Sequence, residues 1–347
     1  MTRPRLHLHV GYPKTGTTTL QRCFFDVLHR HGRIRYLGMF GFEADPTPER
    51  RDFFTSLTAA LYVEDDLFAR ALPGLRGRFE SLCADAGDLA VVLSNEHFVQ
   101  SQWSTSVTGQ RILPARTADR LSQVFAGADV SLMLAVRRQD ALLRSMFLEH
   151  ASRPHHANPL AYSSLPRYAA LCRDRDDFHS DFYDFDRVVS AYRQAFPDAP
   201  VLAWTYEAFR DRQADVLSRI TVALGLGEDV PAIVPLPLER QNARSNDGGA
   251  AVVARWSPLH RALHRLPGGP ALATAAQRVP LLAAASNALK ARQAVPALDP
   301  AEAETVRRLW GPSNARLAAL LPALAPDLHA HGYLPEEEAR PSALRTA

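Results

Sequence analysis

The apolar positions of the chain change rhythm repeatedly, and each change marks an element. Residues 5–10, RLHLHV, alternate apolar and polar as a strand does. From Thr17 the period becomes helical, with Leu20, Cys23, Phe24, Val27, Leu28 and His31 on one face and Gly32 placed as a C-cap. RIRYLG (33–38) predicts a second strand, and residues 49–86 predict two helices interrupted around Pro73–Gly74. DLAVVLS (88–94) predicts a buried strand ending at NEHF, and 115–127 a helix closed by Gly127. ADVSLMLAVR (128–137) is an almost continuous apolar run of the kind buried in parallel sheets, and QDALLRSMFLEHA (139–151) follows it as a helix. A helix over 186–196, a strand over 200–206 and a helix over 211–224 continue the alternation.

Strands that alternate with helices imply an α/β fold in three layers, a mostly parallel central sheet with helices on both faces, of the P-loop NTPase-like kind. The expected organisation is one domain over residues 1–332, its core sheet within about 5–225. Residues 152–185 lack clean periodicity and are expected to form a lid-like excursion. A linker-like stretch at 225–250 leads to a helical C-terminal extension over 250–332, which includes a helix pair over 299–322 broken at Gly311–Pro312. Residues 333–347 are expected to be a flexible tail.

Composition narrows the class. Apolar residues make up 46% of 347 and charged residues 22%, which suits a globular enzyme, and the net charge of +3 gives no global reason to expect nucleic acid. Cys23, Cys83 and Cys172 are scattered and show neither disulfide-framework nor zinc spacing. No uninterrupted apolar stretch is long enough to span a bilayer. Arg278, Pro280 and Asn287 make the apolar segment 270–289 read as packed helix, with peripheral membrane contact the lesser alternative. The phosphate-type loop begins about ten residues in, too early for a signal peptide, so a cytoplasmic location is expected. Only Lys14 and Lys290 are lysines among 40 basic residues. A chain that writes Arg almost everywhere has placed a compact ammonium in the one loop that opens its first helix.

That loop is VGYPKTGTTT (10–19). Gly11 and Gly16 have the separation of a Walker A loop, but Thr17 and Thr18 follow the second glycine, a threonine standing in the lysine position, and Lys14 sits in the turn. The amides of residues 14–19, opening a helix, still form an anion nest.

PKTGTTTL resembles the 5′-phosphosulfate loop of sulfotransferases that use 3′-phosphoadenosine 5′-phosphosulfate (PAPS). The resemblance implies that Pro13, Lys14, Thr15, Gly16, Thr17, Thr18 and Thr19 bind the cofactor's 5′-phosphate, with Lys14 on the oxygen bridging phosphorus and sulfur. It also implies a 3′-phosphate site made by an Arg at a strand end and a Ser eight residues on; AVRRQDALLRS supplies Arg137 and Ser145, with Arg138 and Arg144 as rivals. VLAWTYEAFR and WGPSNARLAALL are similar to later segments of the family. RQNARSN (240–246) lies where many members place a basic loop over the cofactor, so Arg240 and Arg244 are candidates for its phosphates.

Sulfonyl transfer needs an acceptor aligned in line, a base for its proton and charge neutralisation at the leaving oxygen. No metal is required for it, and no Cys, His or Asp cluster here has metal-ligand spacing. The base is expected beside the loop at the end of a neighbouring strand, where open α/β sheets collect ligands. VVLSNEHF offers Glu96 and His97 there; the family uses either residue type, and Glu96 is favoured with His97 as rival. His7 and His9, alternating on the first strand, are expected to be hydrogen-bonded within the sheet. Trp103, Phe147 and Tyr162 are candidates for an acceptor pocket, core packing being the competing role of each. The expected partners are PAPS, its product PAP and a hydroxyl or amine acceptor, with a carbohydrate, glycolipid or secondary metabolite favoured. The alternative activity is a P-loop nucleotide or small-molecule kinase, and behind it a non-catalytic nucleotide-binding protein. No heptad stretch marks an oligomer.

Overall fold

The computed structural model describes residues 3–39, 47–100, 102–103, 111–151, 165–174, 183–227, 229–239 and 298–334. Seven strands occur among them: β1 (Arg5–His9), β2 (Ile34–Tyr36), β3 (Ala90–Ser94), β4 (Gln102–Trp103), β5 (Arg111–Ile112), β6 (Asp129–Val136) and β7 (Val201–Thr205). Five form one sheet in the order β2-β3-β1-β6-β7, every pairing parallel, while β4 and β5 make a separate antiparallel pair. The expected α/β class with a parallel central sheet is what the chain adopts.

Alternation along the strands sorts side chains to two faces. On one face Val92, Met133, Ala135 and Trp204 pack against Leu20, Phe24, Phe25 and Leu28 of the first helical run and Val216, Leu217 and Ile220 of the helix Gln213–Ala223. Burying a Leu or Phe completely, as here with Leu20 and Phe25, contributes about 1.5–3 kcal/mol each. On the other face Leu132, Leu134 and Val201 meet Val188, Val189 and Tyr192 of the helix Phe185–Ala195. The Tyr192 hydroxyl donates to Phe98 O at 3.0 Å, tying that helix to the turn after β3. Helices therefore cover both faces, as the alternation requires.

Contacts divide the chain into two units. One comprises Met1–Arg138, Asp181–Gln241 and Trp310–Ala347, and holds the parallel sheet. The other comprises Gln139–Ser180 and Asn242–Leu309. Within the second, the helices Gln139–Ala151 and Leu165–Asp174 pack through Phe147 and Tyr168, whose ring centres lie 6.0 Å apart, and Arg307 donates to Asp140 at 3.2 Å.

Three boundaries differ from those the pattern predicts. The two helices of 49–86 are Pro48–Ala60 and Asp65–Ala84, so the break falls at residues 61–64 and Pro73 lies inside the second helix. Arg120, with its side chain 1% exposed, fixes the break by donating to Leu61 O and to an Asp65 carboxylate oxygen, both at 2.8 Å. The pair expected over 299–322 is one helix, Pro300–Leu320, containing Pro312. Tyr206 does not end a strand but starts a short helix, Tyr206–Asp211, capped by Thr205, whose hydroxyl oxygen accepts from Ala208 N at 3.1 Å. Most of the expected excursion (152–164 and 175–182), Tyr162, Arg240, Arg244, the apolar segment 270–289 and the tail from 335 lie outside the described residues.

Candidate functional site

Parallel pairing brings the ends of β3, β1 and β6 to one edge of the sheet. His9 stands opposite Ser94 on one side and Met133 on the other. The chain stays on β6 for three more residues, since Val10 N donates to Met133 O (3.0 Å) and Tyr12 N to Ala135 O (3.4 Å). It then folds into the loop. Tyr12 O accepts from the hydroxyls of Thr15 (2.5 Å) and Thr17 (3.1 Å), and those two oxygens lie 3.2 Å apart. Two of the loop threonines thus brace the turn from inside, while Pro13 is buried and Thr18 and Lys14 are half-buried.

Lys14 has φ 65° and Gly16 φ 83°. For a residue with a Cβ that conformation costs about 1–3 kcal/mol, so the loop holds strain at its lysine. Gly16 is needed for a second reason as well: a Cβ there would lie 2.9 Å from the Phe209 ring. The helical run that follows comprises Thr17–Leu20, a π-helical turn Gln21–Phe25 and Asp26–Arg30. Gly16 is its N-cap and offers no side-chain acceptor to the first-turn amides, which leaves that end of the helix suited to an external anion.

Arg137 follows β6 and donates to Lys14 O at 2.9 Å. Its Cζ lies over the Tyr206 ring, 4.5 Å from the ring centre, a cation–π contact worth about 0.5–2 kcal/mol. Two residues that the family resemblance would place at opposite ends of one cofactor, Lys14 and Arg137, are joined directly through the Lys14 carbonyl. The next residue is held as well. Arg138 N donates to a Glu207 carboxylate oxygen (3.3 Å), whose partner oxygen accepts from the Tyr333 hydroxyl (2.6 Å), and Arg138 donates to His331 O (3.0 Å). Burial, reinforced by the Glu207 charge, raises the Tyr333 phenol far above its usual range and keeps it a donor.

On the other side of β1, Asn95 follows β3 and opens a short 3-10 turn, Glu96–Val99. Its side-chain oxygen accepts from His97 N at 3.0 Å, and Tyr62 donates to His97 O at 3.2 Å. Glu96 and His97 are both half-buried, and the His97 Nδ1 lies 2.9 Å from the Gln100 side-chain oxygen. Both base candidates therefore stand at the end of the strand adjacent to the loop strand.

Ser145 is half-buried on the helix Gln139–Ala151 and belongs to the second unit, so its pairing with Arg137 rests on sequence spacing. Phe147 is buried in that unit against Tyr168. Among the described residues no group of His, Cys, Asp and Glu is arranged to hold a metal ion. No helix among them is long and apolar enough to cross a membrane.

Several contributors were not legible as such in the sequence. Tyr206, Glu207 and Tyr333 support the Arg137–Arg138 corner, but only the fold brings residue 333 to residue 207. His9 is the other: its ring stacks on Trp204 at 5.7 Å and its Nδ1 lies 2.8 Å from Ser94 Oγ. Complete burial lowers His9 to about 3, and burial with the Arg5 charge lowers His7, which bonds Ser131 at 2.6 Å, to about 4. Both are neutral, and both are hydrogen-bonded between strands as their alternation predicts.

No family model matches the chain, and no curated protein matches it. Among solved structures, a sulfotransferase from Alicyclobacillus acidocaldarius is similar at 15% identity and TM-score 0.43, over 92% of this chain and 96% of that one. Mouse sulfotransferase SULT7A1 complexed with PAP is similar at 15% identity and TM-score 0.42, over 95% and 90%. The sulfotransferase domain from the curacin biosynthetic pathway is similar at 12% identity and TM-score 0.38, over 72% and 83%. Likeness at this level carries no argument about activity.

Proposed function

We propose that the chain is a PAPS-dependent sulfotransferase that moves a sulfonate group to a hydroxyl or amine of an acceptor. The observation that carries this is the contact between Arg137 and the carbonyl of Lys14, in a loop whose lysine occupies the turn and whose helix start is uncapped. A Walker A lysine enters from the helix; here the cation stands ahead of it, suited to a bridging oxygen.

The residues divide the work as follows. The amides of Thr15–Thr19 and the Thr18 hydroxyl hold the 5′-phosphate. The Lys14 ammonium neutralises charge that grows on the leaving phosphate oxygen as the bond to sulfur breaks. Arg137, its guanidinium fixed by Tyr206 and Lys14 O, takes the 3′-phosphate. Ser145 is assigned to the same phosphate on sequence spacing alone. Glu96 accepts the proton of the attacking group; His97 is the rival for that role. The acceptor belongs to the sugar, glycolipid or secondary-metabolite class.

Thermal unfolding with PAP, with ATP and magnesium, and with ADP tests the reading. PAP at a hundredfold over its Kd stabilises by about 2.7 kcal/mol, and it does so without metal. Stabilisation by ATP with magnesium but not by PAP overturns the proposal in favour of a kinase.

A further inference from the structure

Beneath the loop lies a buried polar contact that the roles above leave unused. His9, Gln21 and Ser94 are 0%, 4% and 0% exposed. Gln21, one turn into the helix that follows the loop, donates through Nε2 to Ser94 Oγ at 3.0 Å. Ser94 Oγ also lies 2.8 Å from His9 Nδ1, in a hydrogen bond whose donor depends on the tautomer of the ring. Nε2 has no hydrogen-bond partner among the described residues and lies 2.7 Å from where a Cβ on Gly11 would stand. The ring therefore forms the floor of the loop, and Gly11 is the residue that lets the loop settle on it. The other end of the contact leads to the base: Ser94 is the last residue of β3, Asn95 N donates to His9 O at 3.2 Å, and the Asn95 side chain caps the turn bearing Glu96 and His97.

We propose that the His9–Ser94–Gln21 contact is a positioning device, holding the Glu96–His97 turn at a set distance from the Lys14 loop, an inference that rests on the sulfotransferase reading. Ser94 is the junction, since its hydroxyl meets His9 of the loop's strand and Gln21 of the loop's helix. Misplacing a catalytic group by about 1 Å costs on the order of a hundredfold in rate. The binding nest itself does not include Ser94, so its loss should tell on the rate rather than on nucleotide affinity.

The test combines two readouts on Ser94→Ala, with folding checked by circular dichroism. Amide exchange across Glu96–Val99 accelerates at least about tenfold in the variant while exchange in β6 does not. In transfer of labelled sulfonate from PAPS into extract of the source organism, apparent kcat falls about a hundredfold with KM for PAPS unchanged. Ser94→Thr, which keeps the hydroxyl, recovers part of that rate. His9→Asn, whose side-chain amide replaces Nδ1, transfers faster than His9→Gln, whose amide replaces Nε2. Unchanged exchange, an unchanged kcat or a loss carried in KM overturns the positioning role. A wild type that neither binds PAP nor transfers sulfonate overturns the sulfotransferase reading, and the catalytic role of the contact with it.

Discussion

Gly16→Ala is the substitution whose cost the structure defines most fully, because two separate penalties meet at one atom. The backbone is at φ 83°, where an L side chain costs about 1–2 kcal/mol. The added Cβ would also stand 2.9 Å from Phe209 Cε1 and 3.0 Å from Cδ1, on a ring that is 3% exposed and has little room to retreat. Overpacking of that kind adds about 1–3 kcal/mol. The total is about 2–5 kcal/mol. Gly32→Ala supplies the control: its φ of 65° carries the same backbone penalty, and nothing lies within 4 Å of its Cβ. Urea unfolding of the two variants followed by circular dichroism should place Gly16→Ala about 1–3 kcal/mol below Gly32→Ala. PAP should stabilise the Gly32 variant normally and the Gly16 variant little. If the two variants unfold together, Phe209 does not confine the loop, and the account of why glycine is needed there is wrong.

Lys14→Gly should abolish transfer from PAPS while raising stability by up to about 1 kcal/mol, because glycine relieves the left-handed strain at φ 65°; near-normal turnover would sink the leaving-group role. Glu96→Gln should leave PAP stabilisation intact and stop transfer, whereas an active Glu96→Gln beside a dead His97→Ala assigns the base to His97. His7 and His9 titrate near 4 and 3 in the folded chain against 6.5 when unfolded. Between pH 6.5 and about 4 the unfolded chain therefore binds protons that the folded chain refuses, and stability falls with pH by about 1.4 kcal/mol per unit for each imidazole. The urea midpoint followed over that window should show the slope, and His9→Asn should remove one proton's share of it.

The strands of the parallel sheet, the loop and the helix Gln139–Ala151 were legible because each is carried by local pattern: a two-residue or helical rhythm, a glycine C-cap at Gly32, a continuous apolar run in β6. The prolines misled. Pro73–Gly74 reads as a breaker, yet Phe68, Leu75, Phe79 and Leu82 continue one buried stripe across it, and packing along that stripe outweighs the lost hydrogen bond. Pro312 is spanned in the same way by Trp310 against Tyr183, Asn314 donating to Tyr333 O and buried Leu317. For the site, single residues at strand ends could be nominated from sequence, because a parallel sheet collects them at one edge. Their supports could not. That Arg137 rests on Tyr206, that Glu207 meets Tyr333 and that Ser94 joins His9 to Gln21 are consequences of strand order and register.

The central claim is sulfonyl transfer, and the direct measurement is a label experiment. Purified chain is incubated with PAPS carrying 35S and an extract of the source organism, in parallel with ATP carrying γ-32P. The account predicts 35S incorporated into an acceptor by the wild type, lost in Lys14→Ala, and no transfer of 32P. Incorporation of 32P without 35S, or 35S transfer that is indifferent to Lys14, would contradict it.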